Sequence, residues 1–222
     1  MAKQTHHFDE SVEMYLKTIA ELSVMMDPVP VTQLARKLGI STVSASEMVH
    51  RLEEQSLLHH TPYKGVRMTE QGLREANAVI RRHQLWEVFL YEKLGLSWSA
   101  VHDLACQLEH IPSPVLVEAL NDYLGNPERC PHGNMIPQPG AVDRKSIGAP
   151  LNQFPSNSTI SIVGIPLEES ELLQALEAAG IGPGVEVQVM IHAEQGDIEV
   201  HHAGKSVSIP AALAKAILAV ER

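Results

Sequence analysis

The sequence predicts a mainly α-helical protein with a small β domain at its C-terminal end, and three observations lead there. From residue 8 to about 124, apolar residues recur every three or four positions, the period of amphipathic helices. From 125 to 158 the chain is rich in Pro, Gly, Asn and Ser with no sustained period, which is linker chemistry. From Thr159 onward it changes to short β-branched runs, Thr159–Ile165, Val185–His192, Ile198–His202 and Val207–Ile209. Gly-rich turns such as Gly182-Pro183-Gly184 separate these runs, and one helix at about Glu168–Ala179 interrupts them. Such spacing suits a small β-barrel.

The first helix should run from about Ser11 to Met25. Asp27-Pro28-Val29-Pro30 ends it, because proline lacks an N–H and restricts the residue before it. Val31–Leu38 is a short amphipathic helix closed by Gly39, which can take a positive φ. Ser41 or Thr42 then caps a helix reaching about Gln55. A short helix, a Gly turn and a capped second helix make a helix-turn-helix. Leu34, Ala35, Leu38, Ile40, Val43, Val49 and Leu52 are spaced to form its core.

The N-terminal half of the second helix carries Thr42, Ser44, Ser46 and Glu47. Small hydroxyl residues there allow close approach to a major groove, and Glu47 can accept from a cytosine amine. Leu57–Thr61 and Val66–Met68, joined by Pro62-Tyr63-Lys64-Gly65, read as a β-hairpin wing whose Lys64 and Arg67 would meet phosphate. Thr69 caps a long helix after it. The net charge of −10 weighs against a chain that is basic throughout. The charge is uneven, however. Acidic residues dominate beyond Thr159, whereas Arg36, Lys37, Arg51, Lys64, Arg67 and Arg74 cluster in and beside the helix-turn-helix. A DNA surface needs positive charge locally rather than a basic pI.

Metal-binding donors collect on two later helices. His83 and Glu87 form an i,i+4 pair. A helix at about Ser99–Ile111 carries His102, Cys106, Glu109 and His110 along one stripe. Taken singly, each is more often a solvated or core residue. Imidazole, thiolate and carboxylate sharing one stripe, facing a second His/Glu helix, are the donor set of a transition-metal site. Cys130 and His132 lie close together and could serve as ligands, but an ordered turn linking two domains is the better reading.

The chain has 222 residues, enough for two modest cores. No apolar run approaches the roughly 18–20 residues of a membrane span. Met1–Glu10 is polar and lacks a signal-peptide core, so a cytoplasmic location is expected. The two cysteines, Cys106 and Cys130, are then expected as thiols. A metallo-hydrolase would need an open coordination position and a general base. No HExxH occurs, so a non-enzymatic role is expected. A metal store would bind the same ions without affecting DNA.

Several motifs together resemble the diphtheria toxin repressor family of iron- and manganese-dependent transcriptional regulators, over nearly the whole chain. They are Val12-Glu13-Met14-Tyr15-Leu16, the helix-turn-helix, Arg82-His83-Gln84-Leu85-Trp86-Glu87, the run Val101–His110 and the run Cys130–Pro137. The resemblance implies a homodimeric repressor of double-stranded operator DNA, with an N-terminal winged helix-turn-helix, a helical dimerisation domain and a C-terminal SH3-like β-barrel. The corresponding bounds are 1–74, 75–137, a linker at 138–158, and 159–222.

The resemblance also implies a primary metal site from Met14, Cys106, Glu109 and His110, and an ancillary site from His83, Glu87 and His102. Glu168 and Glu171 are the best matches for two further ancillary ligands, although a glutamate stands where the family usually has Gln. Manganese-type members place acids where Met14, Cys106 and Lys17 stand. Thioether and thiolate are soft donors, so Fe2+ is the expected co-repressor and Mn2+ the alternative. Co2+, Ni2+ or Zn2+ can bind in vitro by the Irving–Williams order.

Overall fold

The computed structural model describes residues 9–111, 113–143, 147–166, 169–191 and 197–222. The chain forms two compact units. The first comprises Met1–Arg82, Glu109–Leu116 and Pro137–Arg144, and the second His83–Leu108, Val117–Ile136 and Lys145–Arg222.

In the first unit, α1 (Glu10–Leu22) precedes α2 (Val31–Leu38) and α3 (Thr42–Glu54). Gly39 closes α2 at φ 67°, and the Ser41 side chain caps α3 by accepting from the Ser44 N–H. Strands β1 (Leu58–Thr61) and β2 (Gly65–Met68) pair antiparallel from Leu58↔Met68 to Thr61↔Gly65. Val29 bridges to Val66, so the segment after α1 backs the wing. A Cβ on Gly65 would lie 2.3 Å from the Val29 carbonyl oxygen, which is why glycine stands there. Leu16, Ile19, Leu34, Val49, Leu52, Leu57, Leu58 and Val66 share one core.

Two residues expected in the core are exposed instead. Val43 is 69% exposed and Ile40 38%. The buried positions of α3 are Ala45, Val49 and Leu52. That i, i+4, i+7 face turns Val43 outward with Thr42, Ser44 and Glu47, all exposed.

Helix α4 (Glu70–Glu92) begins at Thr69, whose hydroxyl accepts from the Gly72 N–H. In the second unit α5 (Val101–Leu108) is shorter than the stripe reading required. Glu109 and His110 stand in the turn that follows it, not on its face. Helix α6 spans Pro114–Tyr123.

The β domain starts earlier than composition suggests. Strand β3 (Ala149–Pro150) lies within the segment expected as linker and pairs with β8 (Leu218–Glu221). With β4 (Thr159–Gly164), β5 (Glu186–Ile191), β6 (Ile198–His202) and β7 (Lys205–Ile209) they form one sheet in the order β3-β8-β4-β5-β6-β7. Helices α7 (Ser170–Ala179) and α8 (Ala211–Ala214) accompany it. Leu151, Ile160, Ile162, Leu173, Leu176, Val189, Val200 and Ile217 fill the core, which Trp98 also joins. Trp98 N–H and Ser99 hydroxyl donate to Glu177 of α7, at 2.9 and 2.5 Å. Ser170 donates to Asp103 of α5 at 3.0 Å.

Candidate metal centre and nucleic-acid interface

The second unit holds a buried donor cluster centred on Glu87. Helix α4 places His83 and Glu87 one turn apart, and α5 does the same for His102 and Cys106. The segment after α6 supplies Cys130 and His132 from a tight turn, in which Gly133 N–H donates to the Cys130 carbonyl and Cys130 N–H to that of Asn134. Gly133 takes φ 82°, and a Cβ there would lie 2.3 Å from the Val163 carbonyl oxygen. The Cys130–Asn134 run is therefore an ordered turn, as expected, and it also delivers two donors.

Glu87 is completely buried. Its Oε1 lies 3.0 Å from His83 Nε2, 3.0 Å from His132 Nδ1 and 3.7 Å from His102 Nδ1. Its Oε2 is buried and has no hydrogen-bond partner among the described residues. Two triads have their ligand atoms within 4.8 Å of one another: His83, His102, Cys106 and Glu87, Cys130, His132. Burial pushes the Glu87 carboxyl up. The charges of His83 and His132 and hydrogen bonds from His102 and His132 outweigh it and hold the group well below the usual carboxylate range.

His132 Nε2 sits 2.9 Å from the Trp98 carbonyl oxygen, which can only accept, so that nitrogen carries a proton. Nδ1 then faces a carboxylate. Either it is protonated too, or a cation stands between them. A metal-ligating imidazole typically donates its other N–H to a carbonyl in this way. Together with the orphaned Oε2 and nearby thiols, this donor set fits a divalent transition metal.

A different network lies in the first unit. Lys17 donates to Glu109 Oε2 at 2.6 Å, with both side chains buried. His110 Nδ1 lies 2.9 Å from Glu13 Oε2, and Arg82 binds Glu13 Oε1 at 2.6 Å. Arg82 Nε also donates to the Glu109 carbonyl at 2.5 Å. His110 Nε2 is 3.6 Å from Glu109 Oε1, and Met14 is 43% exposed in the same unit. Cys106, in the second unit, lies 3.7 Å from His102 Nε2. Of the two remaining expected ligands, Glu168 lies outside the described residues. Glu171 is exposed in the first turn of α7 and belongs to neither triad.

The helix-turn-helix presents Thr42, Ser44 and Glu47 outward, with Ser46 half-buried. Arg36, Lys37, Arg51 and Lys64 are exposed as expected. Arg67 is also exposed but is paired with Asp27 at 2.9 Å. Tyr63, fully exposed at the wing tip with φ 63°, was not singled out in the sequence. Sequence reasoning prefers an ordered turn over ligands for Cys130 and His132. Their one signal was the His/Cys pairing itself.

Residues 7–66 match the iron dependent repressor N-terminal DNA binding domain, and 69–138 the iron dependent repressor metal binding and dimerisation domain. Residues 149–221 match the FeoA domain. The chain is 33% identical over 219 residues to a diphtheria toxin repressor of Corynebacterium glutamicum, covering 94% of this chain and 95% of that one. Among solved structures, the manganese regulator SloR aligns with a TM-score of 0.82 at 29% identity, over 95% of this chain and 98% of that one. T. acidophilum IdeR aligns with a TM-score of 0.81 at 26% identity over the whole of both chains. With its DNA-binding, metal-binding and FeoA segments in the same order and a relative matched nearly end to end, the chain belongs to the diphtheria toxin repressor family of iron-dependent repressors.

Proposed function

We propose that the protein is a metal-dependent transcriptional repressor that binds operator DNA as a homodimer, with Fe2+ as co-repressor. The observation that carries this reading is the buried Glu87 cluster, on the same chain as a recognition helix whose polar N-terminal half faces outward. The family relationship supplies the link between the two. Exposed Tyr91, Leu94 and Tyr123 of the second unit support a dimerising surface.

His83, Glu87, His102, Cys130 and His132 are the proposed holders of one ion. Met14, Cys106, Glu109 and His110 are the proposed activating set that the family resemblance implies. Bound there, a divalent cation supplies positive charge that lets carboxylate, thiolate and imidazole share a small volume. Within the chain, Trp98 orients His132, and Arg82 fixes the Glu109 backbone and the Glu13 carboxylate. Thr42, Ser44 and Glu47 read base edges, while Arg36, Lys37, Arg51 and Lys64 meet phosphates. Val43 can pack on a thymine methyl group. In a dimer of this kind two recognition helices meet half-sites about one DNA turn apart.

Soft sulfur donors at Met14, Cys106 and Cys130 favour Fe2+ over Mn2+. The test is operator binding to DNA upstream of the chain's own gene, measured anaerobically with Fe2+, Mn2+ or chelator. Tight binding with Fe2+, lost in chelator and in Cys106→Ala or Glu109→Ala, is the expected result. Equal binding in chelator would overturn the reading, and a response to Mn2+ alone would reassign the metal.

A further inference from the structure

A third group of donors lies in the first unit and shares no residue with the networks described above. His50 and Glu53 stand one turn apart on the C-terminal half of α3, and His60 lies on β1 of the wing. Their ligand atoms fall within 4.8 Å of one another. Glu53 is held in place, because its Oε1 accepts from the His60 backbone N–H at 2.8 Å. The two imidazoles meet edge to face, with centroids 5.6 Å apart and planes at 82°. Among the described residues no hydrogen bond engages either ring's nitrogens.

We propose that His50, Glu53 and His60 form a further divalent-metal site, suited to Zn2+, at the seam between the recognition helix and the wing. Two imidazoles and a carboxylate are a common Zn2+ ligand set, with water completing the tetrahedron. Metal–ligand bonds of about 2.0–2.2 Å require donor atoms roughly 3.4 Å apart. Small rotamer adjustments of the exposed His50 and half-buried His60 bring the 4.8 Å group to that size. The hard Mn2+ ion prefers oxygen and is a poor match, whereas Zn2+, Co2+ and Ni2+ accept imidazole.

The position gives the site a consequence. In the proposed reading helix α3 meets DNA with its first two turns, and the wing carries Lys64. One ion bonded to the last turns of α3 and to β1 removes freedom between the two DNA-contacting elements. Excess Zn2+ would therefore stiffen the reading head independently of the co-repressor sites, since none of their residues takes part.

The test is equilibrium dialysis of the full chain against Zn2+, with Co2+ as the optical probe, for the parent and for H50Q, E53Q and H60Q. His50 is exposed, so H50Q is expected to fold as the parent does, which its circular dichroism checks. We expect each variant to lose one metal equivalent per chain while the Fe2+-dependent operator response of H50Q is retained. Zn2+ should also slow amide exchange in β1 and β2 of the parent and not of H50Q. An unchanged Zn2+ stoichiometry in H50Q and H60Q would overturn the proposal. So would a lost equivalent with no Zn2+ effect on wing exchange in the parent, because the ion would then lie elsewhere.

Discussion

Replacing Lys17 with methionine tests how the first unit balances Glu109. The ammonium lies 2.6 Å from Glu109 Oε2, and the two side chains are only 8% and 3% exposed. Methionine fills a similar volume and removes the charge. Breaking a buried pair from one side costs about 3–5 kcal/mol, because the remaining ion keeps its desolvation cost without its partner. Two groups soften the loss here. His110 Nε2 stands 3.6 Å from Glu109 Oε1, and the Arg82 guanidinium donates to the Glu109 backbone. We therefore expect the lower end, about 3 kcal/mol, which for a chain of this size lowers Tm by about 6–12 °C. The assay is thermal unfolding of K17M in chelator, followed by circular dichroism. K17M/E109Q should recover most of the loss, since the carboxylate that needs a cation is gone. Mn2+ or Co2+ should also narrow the gap between K17M and parent. A K17M protein as stable as its parent in chelator would refute the reasoning, as would a deficit that the second substitution leaves intact.

Two further substitutions probe the Glu87 cluster and the wing. The folded Glu87 carboxyl is held well below its usual range, so it stays ionised while an unfolded carboxyl, near about 4.3, takes up its proton. Its contribution is therefore complete above that unfolded value and is lost as pH falls through the depressed folded one. The stability gap between parent and E87Q in chelator should shrink in acid, and urea unfolding from pH 6 downward checks this; a gap that widens would contradict the assignment. On the wing, K64A should weaken operator binding evenly across sequences and reduce the salt slope by about 1. R67A should change the slope less, because Asp27 already engages that guanidinium; salt titrations of the two variants decide it.

The helical half was legible where a boundary has a local chemical cause. Gly39, Ser41 and Thr69 mark their turns and caps through a positive φ or a hydroxyl acceptor, which sequence displays directly. The runs that became β4, β5, β6 and β7 were legible for the same reason. Strands β3 and β8 were not, since Ala149-Pro150 is too short to show alternation and is a strand only through its partner. Glu109 and His110 illustrate the opposite failure. Their spacing from His102 fits a helix, but α5 ends at Leu108, and their surroundings are set by Lys17, Glu13 and Arg82 from distant helices. Val43 misleads because apolar character does not by itself mean burial: the buried face of α3 is Ala45, Val49 and Leu52, and Val43 lies off it. Cys130 and His132 depend on a turn whose shape follows from Gly133 approaching Val163, a tertiary relation with no periodic signature.

The two networks share a principle that bears on how metal would act. In each, an acidic donor is already compensated by cationic or imidazole groups of the chain: Lys17 beside Glu109, and His83, His102 and His132 around Glu87. A metal ion entering either place would exchange one positive charge for another rather than neutralise a bare carboxylate. At the Glu87 cluster an imidazole that carries a proton on its ligating nitrogen gives it up on binding the ion, because a ligating nitrogen cannot keep its hydrogen. At Glu109 the ammonium has no proton it readily gives up near neutral pH, so a ligated Glu109 must either share its second oxygen with Lys17 or let that side chain move. The two sites should therefore differ in the number of protons released per ion, measurable by titration calorimetry in buffers of different ionisation enthalpy. Proton release that is lost in E87Q and retained in E109Q would follow from this difference in compensating charge. Equal release in both variants would mean that Lys17 and the imidazoles do not play the distinct roles the geometry assigns them.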